Sequence, residues 1–229
     1  MENCENILIL GSKDKPKIPN LKFARVYAAN YAINKIDQNK NFFKDAKIIS
    51  VCGVKEIYKH HIFQSIKNSK IDTLILRTGF LKDDEFVQEN RELIQLNKNQ
   101  QFLFQAQFFK KGIIDIIRGE LKYEIGLFKK INHIKKCLKS GFLGVSTGFF
   151  CVLKELSESS NSKIYIAGIG LGIDDEFQNP HRSYYRRARV DINLINSLKE
   201  IYVNRIMSTD ENLSRHSNFK LYKENLSIF

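Results

Sequence analysis

Residues 144–172 read GVSTGFFCVLKELSESSNSKIYIAGIGLG, a helical pattern followed by a strand pattern. Ser146, Thr147 and Gly148 open a run in which Phe149, Phe150, Val152, Leu153 and Leu156 recur at helical spacing. A polar break over residues 157–162 gives way to a strand-like run at 163–167, which leaves through Gly168, Gly170 and Gly172. A helix opening on hydroxyls and glycine, followed by a strand with a glycine-rich exit, fits a nucleotide site in an α/β fold. Unpaired N–H groups and a partial positive charge at a helix N-terminus suit a phosphate or a nucleotide oxygen. The plainer reading of the same residues is a helix–strand unit with Ser146 or Thr147 as its cap.

Upstream, residues 6–10 form a short apolar run that stops at Gly11-Ser12, as a buried strand entering a turn would. Residues 13–20 hold two of the three prolines and read as an irregular loop. A second strand at 23–29 ends at Asn30, behind two alanines small enough to let a ligand approach the backbone. A helix over 31–38, a strand at 47–51, a helix over 55–67 and a strand at 72–76 follow. This alternation argues for a mainly parallel sheet covered on both faces.

Residues 80–140 interrupt the rhythm with a charged, largely helical pattern and read as a helical insertion or flank. After the opening stretch come a short loop at 170–187, a helical run at 190–201 and a last strand at 202–207. Residues 208–229 show little periodicity and read as a tail. The expectation is one domain over 1–207: α/β, with a Rossmann-like, mainly parallel sheet flanked by helices and the helical insertion.

Composition narrows the function classes. At 229 residues the chain can bury a substantial core, and 43% hydrophobic with 27% charged residues is the balance of a globular chain. No apolar run approaches membrane-spanning length, and MENCENILIL lacks the pattern of a secretory signal, so a cytoplasmic location is expected. Cys4, Cys52, Cys137 and Cys151 are scattered without a C-x-x-C pair, so buried thiols are expected in place of a metal site. The net charge of +12 suits nucleic acid, an anionic membrane face or an acidic sugar. No RNA-binding or helix-turn-helix signature accompanies it, which ranks nucleic acid low.

Few residues bring chemistry of their own. Leu10-Gly11-Ser12 lacks both G-x-G-x-x-G and a Walker pattern. His60-His61 sit in a helical pattern without ligand-spaced partners, His133 sits in the lysine-rich helix over 131–138 where a plain structural reading is preferred, and His216 has nothing around it that suggests a role. His181 differs, because it follows Asn179-Pro180 in the loop past the 163–167 strand, where open α/β sheets place ligands. Imidazole can accept a proton from an attacking hydroxyl at neutral pH, and the nearby Arg182, Tyr184, Tyr185, Arg186, Arg187 and Arg189 can stabilise a departing phosphate. Asp174, Asp175 and Glu176 are alternative acid/base groups, and a solvated basic turn is the plainer alternative.

Taken together, these blocks resemble the sialyltransferase superfamily, both the bacterial lipooligosaccharide enzymes and the animal enzymes with sialylmotifs. Ser146-Thr147-Gly148, the helix after it and the strand to Gly168 look like the small sialylmotif; residues 6–12 and 26–30 look like the other nucleotide half. The likeness covers less than half of the chain, in separated blocks. It implies a variant GT-A-like glycosyltransferase fold and a CMP-activated sialic-acid-like or Kdo-like donor, with transfer to an oligosaccharide or lipid-linked surface glycan. Gly11, Ser12, Asn30, Ser146, Thr147 and Gly148 would contact the nucleotide. His181 would be the general base, and Tyr184 and Tyr185 would steady the leaving phosphate. The resemblance implies no metal and no cofactor beyond the CMP-sugar, and it is compatible with peripheral association at the inner, anionic face of the cytoplasmic membrane. A catalytically silent nucleotide- or glycan-binding subunit of a polysaccharide assembly complex is the alternative.

Overall fold

The computed structural model describes residues 4–81, 91–140, 143–171 and 182–229, and of residues 140 and 182–186 the backbone alone. Its centre is β1 (Asn6–Leu10), where Ile7 to Leu10 are all fully buried. β3 (Arg25–Ala29) pairs with one edge of β1, and β7 (Lys163–Ala167) with the other. Beyond β3 lie β4 (Lys47–Gly53), β5 (Thr73–Arg77) and β6 (Glu92–Leu96); beyond β7 lie β8 (Ile206–Ser208) and β9 (Lys220–Leu221). The result is an eight-stranded sheet in the order β6-β5-β4-β3-β1-β7-β8-β9, with every neighbouring pair parallel. This is the Rossmann-like α/β architecture expected from the strand–helix alternation.

A parallel sheet needs helices on both faces because both faces are apolar. Ile7, Ile9, Tyr27, Ile49, Val51, Ile164 and Ile166 face one layer: α4 (Lys98–Ala106), α5 (Ile113–Leu121), α6 (Leu127–Ser140), α7 (Thr147–Glu158) and α8 (Arg182–Ile195). Leu8, Leu10, Val26, Ala28, Ile48, Leu74 and Leu76 face the other layer, formed mainly by α1 (Ile33–Gln38), α2 (Val54–Ile57) and α3 (His60–Asn68). The strict alternation along β1 fixes its register, since a one-residue slip would exchange the two layers. Local chemistry agrees with the elements. Asn97 and Gln100 form a reciprocal capping box at the start of α4, each side chain accepting the other's N–H at 2.9 Å.

α7 packs on the centre of the sheet and is fastened to β3 by polar contacts. Arg25 donates to both carboxylate oxygens of the fully buried Glu155, at 3.0 and 2.9 Å. The Tyr27 hydroxyl donates to Glu158 Oε2 at 2.5 Å. These bonds hold the C-terminal half of α7 and thereby fix where its N-terminus points.

Several sequence expectations need correction. Residues 80–140 hold the three helices α4, α5 and α6, as the largely helical pattern implied, but also a strand that it did not show: β6 adds a parallel strand to the sheet edge. The alternation in ELIQL is too short to stand out beside the long charged runs around it. The helix expected over 55–67 is two, broken at Tyr58-Lys59. Residues 202–207 are not one strand: α9 (Glu200–Val203) precedes β8. α8 begins at Arg182, so the loop expected over 170–187 is helical over its last residues. Residues 208–229 are no loose tail. Asp210 caps α10 (Glu211–His216), β9 joins the main sheet, and β10 (Leu226–Ile228) pairs antiparallel with β2 (Lys17–Pro19). Among the described residues no helix is long and apolar enough to cross a membrane.

Candidate functional site

Chain order along the sheet reverses between β1 and β7, and open α/β sheets bind ligands outside the carboxyl ends of the strands at such a point. The two strand exits here are Gly11 and Gly168. The Gly11 N–H donates to Ala167 O at 2.8 Å, and the Lys13 N–H to Gly168 O at 2.9 Å. A Cβ on Gly11 would lie 2.2 Å from Gly168 O, and Gly168 itself has φ +68°, so both positions require glycine. Asn30 closes β3 in the left-handed region, at φ +53°, and its buried Oδ1 has no hydrogen-bond partner among the described residues. That conformation, tolerated by asparagine, turns the chain sharply out of the sheet beside the crevice.

A crevice of about 110 Å³ opens at this point. Gly11, Ser12, Asn30, Ser146, Thr147 and Gly148 all line it, so the structure brings together all six positions expected to contact a nucleotide. They come from three separate parts of the chain: the β1 exit, the β3 exit and the N-terminus of α7. Ile169, Arg187, Ala188 and Asp191 complete the wall.

Three charged groups set the electrostatics, and the sequence reading left two of them, Asp191 and Arg77, without a role. Asp191 is buried on α8, and its Oδ1 accepts the Ser146 N–H at 2.8 Å. Burial pushes this carboxyl up to about 6 against the downward pull of Arg187, Ser146 and Arg77. Ser146 makes no side-chain cap on α7, which leaves the first N–H groups of that helix to the crevice. Arg77, at the end of β5, is buried beneath the same turn. It donates to Gln101 Oε1 at 3.1 Å, Thr147 Oγ1 at 3.3 Å and Val145 O at 2.9 Å, and it stacks 4.4 Å from the Phe150 ring centre. Burial lowers its pKa to about 10, which still leaves a cation at neutral pH. No carboxylate lies within ion-pairing distance of it among the described residues. Arg187 donates to Glu120 Oε1 at 3.0 Å and to Gly144 O. The crevice therefore combines an uncapped helix N-terminus with a buried cation behind it, and both favour an anionic ligand.

A wider hollow of about 570 Å³ adjoins the crevice at Gly168. Lys13, Lys15, Lys17 and Arg215 line it together with Asp14, Asp210 and Glu211. Asp210 ties its two sides together, capping α10 through Oδ1 and pairing with Lys13 Nζ through Oδ2 at 2.9 Å. The crevice alone is below the roughly 300–1,000 Å³ of small-molecule sites, and crevice and hollow together fall within it.

His181, Asp174, Asp175 and Glu176 lie outside the described residues. Tyr184 and Tyr185 fall in the first turn of α8, with side chains likewise outside them. Helical register sets position 184 one turn before Ala188 and two turns before Asp191, both of which line the crevice. His60 and His61 open α3, where His61 packs edge-on against Tyr31 at 5.3 Å. Cys52, Cys137 and Cys151 are buried, as expected, and Cys4 is exposed. Burial pushes the Cys151 thiol up to about 12, so it stays protonated.

Sequence reasoning missed Arg77 and Asp191. An arginine closing the apolar strand TLILR was the available signal for the first; nothing distinguishes Asp191 within its amphipathic helix. It also missed that His133 and Cys137 meet Glu120 away from the crevice, with donor atoms within 4.8 Å of one another.

Protein-family models, curated proteins and solved structures were each compared with the chain, and none matches.

Proposed function

We propose that this chain is a glycosyltransferase that moves a sialic-acid-like or Kdo-like residue from a CMP-sugar to a surface-glycan acceptor. The observation that carries the reading is the meeting of Gly11, Ser12, Asn30, Ser146, Thr147 and Gly148 in one crevice at the sheet's switch point. In this reading the phosphate lies over the N-terminus of α7, backed by Arg77, and Asn30 Oδ1 takes a hydrogen bond from the nucleotide. The sugar, which carries its own carboxylate, extends into the hollow with Lys15, Lys17 and Arg215. His181 takes the acceptor proton, and Tyr184 and Tyr185 steady the leaving phosphate.

The acceptor side gains support from the hairpin of α5 and α6. Its connection and first turn expose Ile125 (85%), Leu127 (75%) and Phe128 (77%), and Ile114 and Ile131 are exposed as well. Lys122, Lys129, Lys130, Lys135 and Lys136 accompany them. Apolar side chains framed by lysines suit the interface of an anionic bilayer, where a lipid-linked acceptor would be presented.

A nucleotide-sugar panel read by thermal shift tests the donor. CMP and CMP-sugars are expected to raise the melting temperature, with about 2.7 kcal/mol of stabilisation at a hundredfold excess over Kd. A shift with uridine or guanosine nucleotides and none with CMP overturns the reading. His181→Ala should cut turnover far more than CMP binding. CMP binding with neither transfer nor donor hydrolysis would instead make the chain a silent binding subunit.

A further inference from the structure

We infer that Glu120, His133 and Cys137 form a zinc site that clamps α5 to α6. His133 and Cys137 stand one turn apart on α6, so both side chains leave the same face, and Glu120 meets them from the end of α5. His133 Nε2 lies 3.1 Å from Glu120 Oε2 and 3.0 Å from Cys137 Sγ, and Sγ lies 3.8 Å from Oε2. Glu120 and Cys137 are buried, and the His133 side chain is nearly so.

Sγ also lies 3.8 Å from His133 Nδ1, and Glu120 Oε2 can accept from both the imidazole N–H and the thiol, so hydrogen bonds hold the three groups together when no ion is bound. Their donor atoms all lie within 4.8 Å of one another, close enough to share one ion. Zinc at its usual bond lengths to N, S and O puts tetrahedral ligands about 3.4–3.6 Å apart, and the three observed separations bracket that spacing.

The surroundings fit as well. Glu120 Oε1 accepts the Gly144 N–H at 3.2 Å and the Arg187 guanidinium at 3.0 Å, which leaves Oε2 for the ion. A thiolate and a carboxylate balance the charge of Zn2+, and binding releases the Cys137 proton. A mixed imidazole, thiolate and carboxylate set favours zinc over magnesium or calcium. Three protein ligands leave one position for water. Arg187 also lines the crevice, so the ion stands one salt bridge away from it. This inference does not rest on the glycosyltransferase reading.

Titration of the untagged, metal-free chain with Co2+ tests it. The expected result is one equivalent bound, with a thiolate-to-cobalt charge-transfer band and tetrahedral visible absorption, displaced by Zn2+. Zinc should raise the melting temperature, and a chelator should reverse the rise. Cys137→Ser should lose the band and weaken binding by at least about tenfold, while Cys4→Ser and Cys151→Ser keep it. Circular dichroism of the metal-free proteins establishes that Cys137→Ser is folded. If it is not, the wild-type titration decides alone. Absence of the band in wild type, or its survival in folded Cys137→Ser, overturns the site.

Discussion

Asp191 Oδ1 holds the Ser146 N–H at 2.8 Å, and this one buried carboxyl joins α8 to the turn that opens α7. The contact links α8 to the wall of the crevice, and it makes that link sensitive to pH. Between the ordinary 3.8 and about 6 the folded chain keeps a proton on Asp191 that the unfolded chain has released. The stability this group contributes is therefore fully present below pH 3.8 and is lost as pH rises through about 6. Asp191→Asn still accepts the Ser146 N–H but cannot ionise. Urea unfolding of both proteins at low and neutral pH should show the variant gaining about 2–3 kcal/mol relative to wild type as pH rises. An unchanged difference would rule out the shifted carboxyl.

Gly11 and Gly53 offer a matched pair. A Cβ on Gly11 meets the backbone of Gly168 at 2.2 Å, whereas on Gly53 its nearest contact is Glu56 Cγ at 3.6 Å. Gly11→Ala should therefore lower stability by about 1–3 kcal/mol and weaken CMP binding. Gly53→Ala should stay within about 0.5 kcal/mol of wild type. Equal effects in denaturant melts would mean that the strand exits are not closely packed.

Arg25 and Glu155 should behave as a coupled pair. Arg25→Met strands a fully buried carboxylate and should cost roughly 3–5 kcal/mol. Adding Glu155→Leu removes the stranded charge and should recover most of that loss. A double-mutant cycle with strictly additive costs would show that the bidentate bond does not form in solution.

The hairpin is checked with vesicles. The wild-type chain should float with phosphatidylserine-containing vesicles at low salt and much less with phosphatidylcholine alone. Phe128→Asp should abolish flotation without changing the melting temperature, because the Phe128 side chain is mostly exposed. Flotation that persists in the variant moves the contact elsewhere, and concentration-dependent dimerisation lost in the variant would assign the apolar face to a second copy.

Much of the frame was legible because its elements are short, apolar and sharply bounded. Residues 6–10 and 163–167 were read with the bounds the structure shows, since Gly11 and Gly168 end the two strands. The six crevice positions were legible for the same reason, as glycines, hydroxyls and an asparagine at strand exits and a helix start. What escaped depends on distant pairing. β6 and β9 are strands only because neighbouring edges receive them, and β10 only because β2 does. Arg77 and Asp191 look like ordinary surface charges until packing encloses them. His133 and Cys137 showed one-turn spacing, but the third donor comes from another helix.

The pairing of β2 with β10 sets an order of assembly. Ile18 meets Ser227, and the Phe229 N–H donates to Pro16 O at 3.2 Å, across nearly the whole chain. The loop bearing Lys13, Lys15 and Lys17 thus gets its partner strand only after all the elements between have been made. The central sheet can close through nearer contacts, whereas the outer wall of the hollow waits for the most distant one. During synthesis the crevice at Gly11 and Gly168 can take shape first, and the cationic wall beside it is among the last parts to settle.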